Sequence, residues 1–176
     1  MKEALIIVDY QKDFVDGALG FPGAELLDGP IVRRIQEARQ AGHDIIFTYD
    51  THGADYLSTR EGQGLPVPHC LEDSDGWQLY GTTAGQLQSG DAIFRKPAFG
   101  SLELAQHLRD KGYDRVTLVG LVSNICVLAN AVLAKTALPE AEVAVDAACT
   151  SSADPDLHQK ALDVLAGLQI TVVNRP

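Results

Sequence analysis

Hydrophobic and polar positions along the chain follow two alternating periods, which predict strands and helices in regular succession. Short, nearly continuous apolar runs are typical of strands covered on both faces, whereas apolar positions three or four residues apart predict amphipathic helices. We expect strands at residues 4–8, 44–49, 92–95, 115–121, 143–148 and 170–173. We expect helices at residues 31–41, 102–108, 125–138 and 156–168. This alternation predicts an α/β fold with three layers (α/β/α) around a mostly parallel six-stranded sheet.

One long segment interrupts the alternation. Residues 51–90 fit neither period, are rich in glycine and contain Pro66 and Pro68. A long irregular loop inside a compact domain is usually functional, so we expect this segment to shape a binding site. We find no internal repeat, linker or low-complexity tract, and we expect a single domain spanning residues 1–176.

Charge and composition narrow the possible partners. The chain has 176 residues, a formal net charge of −10 and a pI near 4.8, which argues against a nucleic-acid partner. No apolar run approaches the roughly 20 residues of a membrane span. The first residues do not have the layout of a signal peptide, and the three cysteines lack zinc-finger or CxxC spacing. We therefore expect a reduced, cytoplasmic protein with no membrane partner.

Three predicted strands lead into a side chain that can act as an acid, a base or a nucleophile. Asp9 follows the first strand, Lys96 the third and Cys126 the fourth. Ligands of parallel sheets bind beyond the C-terminal strand ends, so we expect these side chains to meet there. Cys126 also lies near a predicted helix start, where partial positive charge favours the thiolate. The pattern predicts a nucleophilic site in which Asp9 exchanges the thiol proton and Lys96 stabilises both negative charges.

Each of these residues has a plainer interpretation when it is considered alone. A free cysteine is usually a small buried hydrophobe, Asp9 could be a surface carboxylate, and Lys96 could be a solvated lysine. The other two cysteines, Cys70 and Cys149, have no comparable neighbours in the pattern. We interpret Cys149 as a core residue and Cys70 as a residue at the edge of the site at most.

A second group of polar residues follows the second strand and could bind a divalent metal. Asp50 and His52 form an Asp-x-His pair, His69 lies further along the loop, and Glu61 lies between them. Such a set can supply three or four ligands. The alternative is that both histidines are loop residues with ordinary hydrogen bonds.

Four residues could form apolar walls for a flat substrate, although each could equally belong to the core. They are Phe14, Tyr56, Leu65 and Phe99.

Four separated parts of the sequence resemble the isochorismatase-like cysteine hydrolases, and within them the nicotinamidases. The first three are ALIIVDYQKDF (residues 4–14), KPAFGS (96–101) and GLVSNICV (120–127). The fourth comprises DTH (50–52) and PVPHC (66–70), which look like the metal-binding half of nicotinamidases. The resemblance covers essentially the whole chain and implies the isochorismatase-like, Rossmann-like form of the three-layer fold.

The resemblance also implies roles for particular residues. It implies an Asp9–Lys96–Cys126 catalytic triad. It implies a cis peptide between Leu121 and Val122, with the backbone N–H groups of Val122 and Cys126 forming an oxyanion hole.

In nicotinamidases a divalent metal, zinc or a similar ion, binds the pyridine nitrogen of the substrate. The ligands that the resemblance implies here are Asp50, His52 and His69, with Glu61 as a fourth. We assign Phe14, Leu65 and Phe99 to substrate binding. One departure concerns this wall, because nicotinamidases usually carry a tryptophan before the Pro-x-His-Cys stretch, where this chain has Leu65 or Val67.

The activity implied is hydrolysis of a small amide through a cysteine thioester, with nicotinamide to nicotinate and ammonia as the leading case. True isochorismatases break a vinyl ether and lack the nucleophilic cysteine, so Cys126 favours amide chemistry. One alternative is a hydrolase of another small amide. A second is a signalling receiver domain in which Asp9 or Asp50 accepts a phosphoryl group. A third is a catalytically inactive family member that binds a metabolite or a partner chain. The resemblance also suggests a homo-oligomer, with the helices at residues 124–138 and after Asp156 as candidate interfaces.

Overall fold

A computed structural model describes residues 1–175 and contains a six-stranded sheet. The strands are β1 (Glu3–Val8), β2 (Asp44–Asp50), β3 (Ala92–Lys96), β4 (Arg115–Leu121), β5 (Glu142–Ser151) and β6 (Thr171–Val173). They lie in the order β3-β2-β1-β4-β5-β6, and every neighbouring pair is parallel. The predicted α/β fold is confirmed, with a sheet that is entirely parallel rather than mostly so.

Helices connect the strands and cover both faces of the sheet. The α-helices are α1 (Lys12–Val15), α2 (Asp28–Gln40), α3 (Arg60–Gly64), α4 (Gly81–Ala84), α5 (Leu102–Lys111), α6 (Leu128–Ala137) and α7 (Pro155–Gly167). Short 3₁₀ turns occupy Ala24–Leu27 and Tyr56–Ser58, and a π-helical turn occupies Ser123–Val127. Among the described residues, none of these helices combines the length and the apolar character that a bilayer-spanning segment needs.

Alternate residues of β1 pack into two separate hydrophobic clusters. Ile6 faces a cluster that contains Leu108 of α5 and Leu162 of α7, whereas Ile7 faces a cluster that contains Ile35 of α2. All five side chains are fully buried, and burial of one such side chain stabilises the fold by about 1.5–3 kcal/mol. The central strand is therefore covered on both faces, as its continuous apolar sequence predicts.

The strand order places a topological switch point beside the central strand. The chain continues from β1 through β2 to β3 on one side, then crosses to β4 on the other side of β1. Ligands of such sheets bind where the order reverses, beyond the C-terminal ends of the two strands. Gly120 allows β4 to approach β1 closely here: its φ is 109°, and a Cβ atom would overlap the carbonyl oxygen of Val8.

Strand β5 is longer than the sequence predicts because an irregularity extends it. Its pairing with β4 shifts between Leu118 and Gly120, and Asp146 lies in the shifted part. The buried Asp146 carboxylate accepts a hydrogen bond from the Ala148 N–H at 3.1 Å and pairs with Arg34 at 3.1 Å. The extension carries the chain to the C-terminal edge of the sheet before α7 begins.

The irregular segment that follows β2 contains some regular structure. It includes α3, α4 and one 3₁₀ turn; a bridge between His52 and Leu71 joins two parts of the segment, and a bridge between Gln11 and Leu79 attaches it to the rest of the molecule. The bridges hold the segment over the C-terminal edge of the sheet, where the switch point lies.

Candidate active site

The side chains at the ends of β1, β3 and β4 meet at the switch point. Lys96 Nζ lies 2.5 Å from Asp9 Oδ2 and 3.4 Å from Cys126 Sγ. The three residues are buried, with 0%, 1% and 4% of Asp9, Lys96 and Cys126 exposed. The predicted meeting of a carboxylate, an ammonium and a thiol is therefore present in the structure.

Hydrogen bonds and neighbouring charges set the protonation states of Asp9 and Lys96. Thr48 Oγ1 donates to Asp9 Oδ1 at 2.6 Å, which leaves Oδ2 facing Lys96. Burial raises the pKa of Asp9, and the positive charge of Lys96 opposes this rise. Burial alone would lower the pKa of Lys96, but the surrounding negative charges, led by Asp9, raise it. Lys96 therefore remains an ammonium and compensates the buried carboxylate.

The expectation of a thiolate stabilised by a helix start is wrong. Helix α6 begins at Leu128, after the π-helical turn, so Cys126 precedes its first turn. Burial raises the pKa of the Cys126 thiol, the charge of Asp9 raises it further, and Lys96 only partly opposes both effects. The thiol is protonated at rest, so a base must remove its proton before it can act as a nucleophile.

The π-helical turn connects β4 to α6 and carries the thiol. The peptide bond between Leu121 and Val122 is cis, as the resemblance implies. The Val122 carbonyl accepts hydrogen bonds from the N–H groups of Ile125 and Val127 at 3.1 Å and 3.2 Å. These bonds fix the backbone on both sides of Cys126.

Asn130 connects this turn to the loop after Lys96. Its Nδ2 donates to the Cys126 carbonyl at 2.8 Å and to the Phe99 carbonyl at 3.0 Å, and its Oδ1 accepts from the Ser101 N–H at 3.0 Å. Asn130 is buried, and all three bonds link backbone groups of separate elements. Sequence reasoning missed this residue, because a single asparagine in an apolar helix carries no signal of its contacts.

Four potential metal ligands lie beside the carboxylate–ammonium pair. Asp50 Oδ2 lies 3.0 Å from His52 Nε2 and 3.3 Å from His69 Nε2, and Glu61 Oε1 lies 3.6 Å and 3.8 Å from the same two nitrogens. One ligand atom from each residue falls within 4.8 Å of all the others. Burial alone would raise the pKa of Asp50, but hydrogen bonds from the two histidines and the charge of Lys96 hold it well below its usual range.

Backbone contacts orient this group of ligands. His69 Nδ1 donates to the Val67 carbonyl at 2.8 Å, which directs Nε2 toward Asp50 and Glu61, where it could coordinate a metal once it gives up its proton. Gln11 accepts from the Asp50 N–H at 2.8 Å and donates to the Asp50 carbonyl at 2.9 Å. The Cys70 N–H donates to Asp13 at 2.7 Å. Cys70 is buried in the core next to His69 and does not line the cavity, and Gln11 is a positioning residue that the sequence does not single out.

A cavity of about 300 Å³ opens over Cys126 and the potential metal ligands. All three residues that we assigned to substrate binding line it: Phe14, Leu65 and Phe99. Of the two candidates for this part of the wall, Leu65 lines the cavity and Val67 does not. Contributions that the sequence did not predict come from distant parts of the chain. They are Leu19, Phe21, Asn124, Ile125, Ser152, Ala153, Asp154 and Leu157, whereas Val122, which also lines the cavity, is one of the expected oxyanion-hole residues.

Two aromatic residues of the irregular segment do not line the cavity. Tyr56 packs against the rings of His52 and His69 and donates to the Leu65 carbonyl at 3.0 Å, so it supports the potential metal ligands. Trp77 packs against Tyr49 of β2. Cys149 is buried in the core, as predicted.

Comparison with known proteins agrees with this geometry. The family model for the Isochorismatase domain matches residues 3–175. The chain is 31% identical to the uncharacterized isochorismatase family protein PncA of Bacillus subtilis over 144 residues, which cover 75% of this chain and 78% of that protein. It is 26% identical to the nicotinamidase of Saccharomyces cerevisiae, with 98% and 100% of the two chains covered.

A solved structure supports the same relationship. The crystal structure of the pyrazinamidase of Pyrococcus horikoshii in complex with zinc superimposes with a TM-score of 0.86 at 28% identity, covering 99% of this chain and 100% of that one. The family match over nearly the whole chain, the shared fold and the buried thiol at the switch point agree, and the chain belongs to the isochorismatase family.

Proposed function

We propose that this protein is a cysteine-dependent amide hydrolase that converts nicotinamide to nicotinate and ammonia. The observation that carries the proposal is the single ammonium of Lys96, which contacts both the Asp9 carboxylate and the Cys126 thiol at the base of an apolar cavity. Similarity to a nicotinamidase and to a pyrazinamidase supports nicotinamide as the substrate.

The first half of the reaction forms a thioester. Asp9 removes the proton from the Cys126 thiol, and the thiolate attacks the carbonyl carbon of the amide. Backbone N–H groups of Val122 and Cys126 stabilise the negative charge on the carbonyl oxygen. The carbon–nitrogen bond then breaks, and the proton held by Asp9 passes to the departing nitrogen, which leaves as ammonia.

The second half restores the enzyme. Water attacks the thioester carbon while Asp9 accepts one of its protons, the carbon–sulfur bond breaks, and the thiolate takes back a proton. The acid is released, and Lys96 keeps the buried negative charges compensated throughout. A base with a raised pKa suits this exchange, because it must both accept and return a proton.

The potential metal ligands suit a divalent ion such as zinc. Two imidazoles and two carboxylates are a donor set that zinc accepts, and His69 already directs Nε2 toward the group. Asp50, His52 and His69, with Glu61, would hold the ion. When bound, the metal would supply a Lewis acid that orients a ring nitrogen of the substrate.

The charge of the cavity favours a neutral substrate. Asp50, Glu61 and Asp154 contribute to its lining, and among the described residues no lysine or arginine does so. A divalent ion on Asp50 and Glu61 would offset those two charges, so Asp154 would be the acid that disfavours an amide carrying a carboxylate; nicotinamide and pyrazinamide are uncharged. Another neutral small amide remains the second candidate. Family membership leaves the phosphate-receiver alternative without support.

We further propose that the protein is a single domain, that it is cytoplasmic and that it forms a homo-oligomer. We also propose that it has no nucleic-acid or membrane partner.

Ammonia release from nicotinamide, pyrazinamide and small aliphatic amides, with and without a chelator, tests the activity. We expect nicotinamide or pyrazinamide to be the best substrate. We expect Cys126→Ala to lower kcat by roughly 10³-fold or more while substrate still binds. Cys149→Ala, which changes a buried thiol outside the site, is the matched control and should retain activity. Near-normal turnover by Cys126→Ala would refute the nucleophile assignment.

A further inference from the structure

A hydrogen bond connects helix α7 to the turn that carries the nucleophile. Ser123 is the first residue of the π-helical turn, and its hydroxyl oxygen lies 2.9 Å from Nδ1 of His158. Ser123 is fully buried and His158 is partly buried. A hydroxyl can both donate and accept, so this bond forms with either protonation state of Nδ1. The beginning of the turn is therefore attached to a helix that is distant in the sequence.

The position of Ser123 in the turn gives this contact its importance. Ser123 directly follows Val122 and lies three residues before Cys126, the two residues whose backbone N–H groups we propose as the oxyanion hole. A displacement of Ser123 would move these donors relative to the carbonyl of the substrate. Donors of this kind stabilise a transition state only when they are fixed in place, and a misplacement of about 1 Å can cost roughly 100-fold in rate.

Other contacts hold different parts of the turn. Asn130 donates to the Cys126 carbonyl, which lies toward the end of the turn. The bonds to the Val122 carbonyl come from Ile125 and Val127, which belong to the turn itself. The contact between Ser123 and His158 fixes the beginning of the turn from outside, so we expect that the other contacts do not replace it.

His158 is itself held by the start of α7. Asp154 Oδ1 accepts from the N–H groups of Asp156 and Leu157 at 2.9 Å and 3.1 Å, and the Asp154 carbonyl accepts from the His158 N–H at 3.0 Å. Leu157 lines the cavity, whereas His158 and Ser123 do not. His158 is therefore placed to act on the reaction through Ser123 and not by contact with the substrate.

We infer that His158 is a positioning residue that holds the proposed oxyanion hole in place through the Ser123 hydroxyl. The inference rests on the proposed function, because an oxyanion forms only if a carbonyl is attacked by Cys126. Loss of the bond should impair the transition state, in which the oxygen carries negative charge, more than it impairs binding of the uncharged substrate. The expected signature is a lower kcat with a nearly unchanged KM.

Four variants test this role. His158→Leu removes the hydrogen bond, whereas His158→Asn retains it, because the carboxamide of asparagine places a polar atom as many bonds from Cα as Nδ1 is. Ser123→Ala removes the other partner, and the double variant His158→Leu with Ser123→Ala completes a double-mutant cycle. His107→Leu is the matched control, since His107 is also a partly buried histidine of a helix but packs against Phe94, away from the cavity.

Kinetics are measured with the metal-saturated enzyme, well below the melting temperature of every variant. We expect His158→Leu and Ser123→Ala each to lower kcat for nicotinamide by about 10–100-fold, with KM changing by less than about threefold. His158→Asn should keep kcat within about threefold of the wild type. The double variant should lose no more than about twofold beyond the weaker single variant, because both changes remove the same bond. His107→Leu should have normal kinetics.

Hydrogen exchange gives a readout that does not depend on turnover. The backbone amides of residues 122–127 should exchange faster in His158→Leu than in the wild type, and at the normal rate in His107→Leu. Unchanged exchange of this turn in His158→Leu would show that the histidine does not hold it.

Three kinetic results would overturn the assignment: a normal kcat in His158→Leu, additive losses in the double variant, or no recovery in His158→Asn. A higher KM at unchanged kcat would also overturn it, because His158 would then act on substrate binding. Failure of the proposed function is read separately, from the wild type. If the wild type releases ammonia from another amide, that amide replaces nicotinamide. If it cleaves none, the proposed function fails, and hydrogen exchange alone decides whether His158 holds the turn.

Discussion

Replacing Lys96 with methionine would show how strongly its positive charge stabilises the folded protein against the burial of Asp9. Methionine keeps most of the buried aliphatic volume but removes the charge that lies 2.5 Å from Asp9 and 3.3 Å from Asp50. Removal of one partner from a buried ion pair destabilises a protein by about 3–5 kcal/mol. The same loss raises the pKa of Asp9 further, because the carboxylate loses the positive charge that opposes the effect of burial.

The stability that Lys96→Met loses relative to the wild type should increase with pH. In the variant, the folded-state pKa of Asp9 lies well above its unfolded value of about 3.9. Well below about pH 4, Asp9 is protonated in the folded and unfolded forms of both proteins, so the variant should be nearly as stable as the wild type. The loss should grow as the pH rises above the folded-state pKa of Asp9 in the wild type, which burial already raises, and it should level off above the still higher pKa in the variant.

Thermal and denaturant unfolding at pH 5, 6, 7 and 8, with metal held at a constant saturating level, measures this loss. We expect the melting temperature of Lys96→Met at pH 8 to fall by about 6–20 °C. The double variant Lys96→Met with Asp9→Asn should recover most of the stability, since it removes the unpaired charge, and should remain inactive. A loss of equal size at pH 5 and pH 8, or no recovery in the double variant, would refute the reasoning.

Three further predictions concern the same site. Because burial raises the pKa of Asp9, which must be ionised to accept the thiol proton, kcat/KM should fall with decreasing pH at a value above the ordinary range of aspartate; an acid limb at or below about pH 4 would contradict this. His52→Ala should reduce bound metal by elemental analysis, whereas His43→Ala, outside the ligand group, should not; unchanged metal content in His52→Ala would argue against the site. Asn130→Leu removes three buried hydrogen bonds and should lower the free energy of unfolding by roughly 2–5 kcal/mol. It should also lower kcat by a larger factor than it raises KM. A change in KM alone would show that Asn130 does not hold the turn that carries Cys126.

The sequence predicts the sheet and the position of the triad because both follow from local patterns. Continuous apolar runs mark the buried strands, and the parallel arrangement brings Asp9, Lys96 and Cys126 to one edge without knowledge of any side-chain contact. The Asp-x-His pair after β2 similarly identifies half of the potential metal ligands. Each of these features depends on a residue's position relative to a strand end.

The features that the sequence does not predict depend on long-range packing. Neither the contacts of Asn130 nor the supporting role of Tyr56 has a local signature. Leu157 reaches the cavity only because β5 is extended by its irregularity at Asp146, which a period-two pattern does not reveal. The protonation state of the Cys126 thiol also lacks a local signature, because burial and the neighbouring Asp9 carboxylate raise its pKa more than a nearby helix start lowers it.

Lys96 has a consequence for any redesign of substrate preference. Its ammonium is shared by the nucleophile side of the cleft, through Asp9 and Cys126, and by the metal side, through Asp50. Apolar wall residues of the loop beyond Asp50, such as Leu65, can be exchanged for residues of different shape, but a neutral residue at position 50 would leave Lys96 with less negative charge around it. Engineering of new specificity should therefore alter the apolar wall residues and keep the acid at position 50. The charges around Lys96, and with them the reactivity of the Cys126 thiol, would then stay the same.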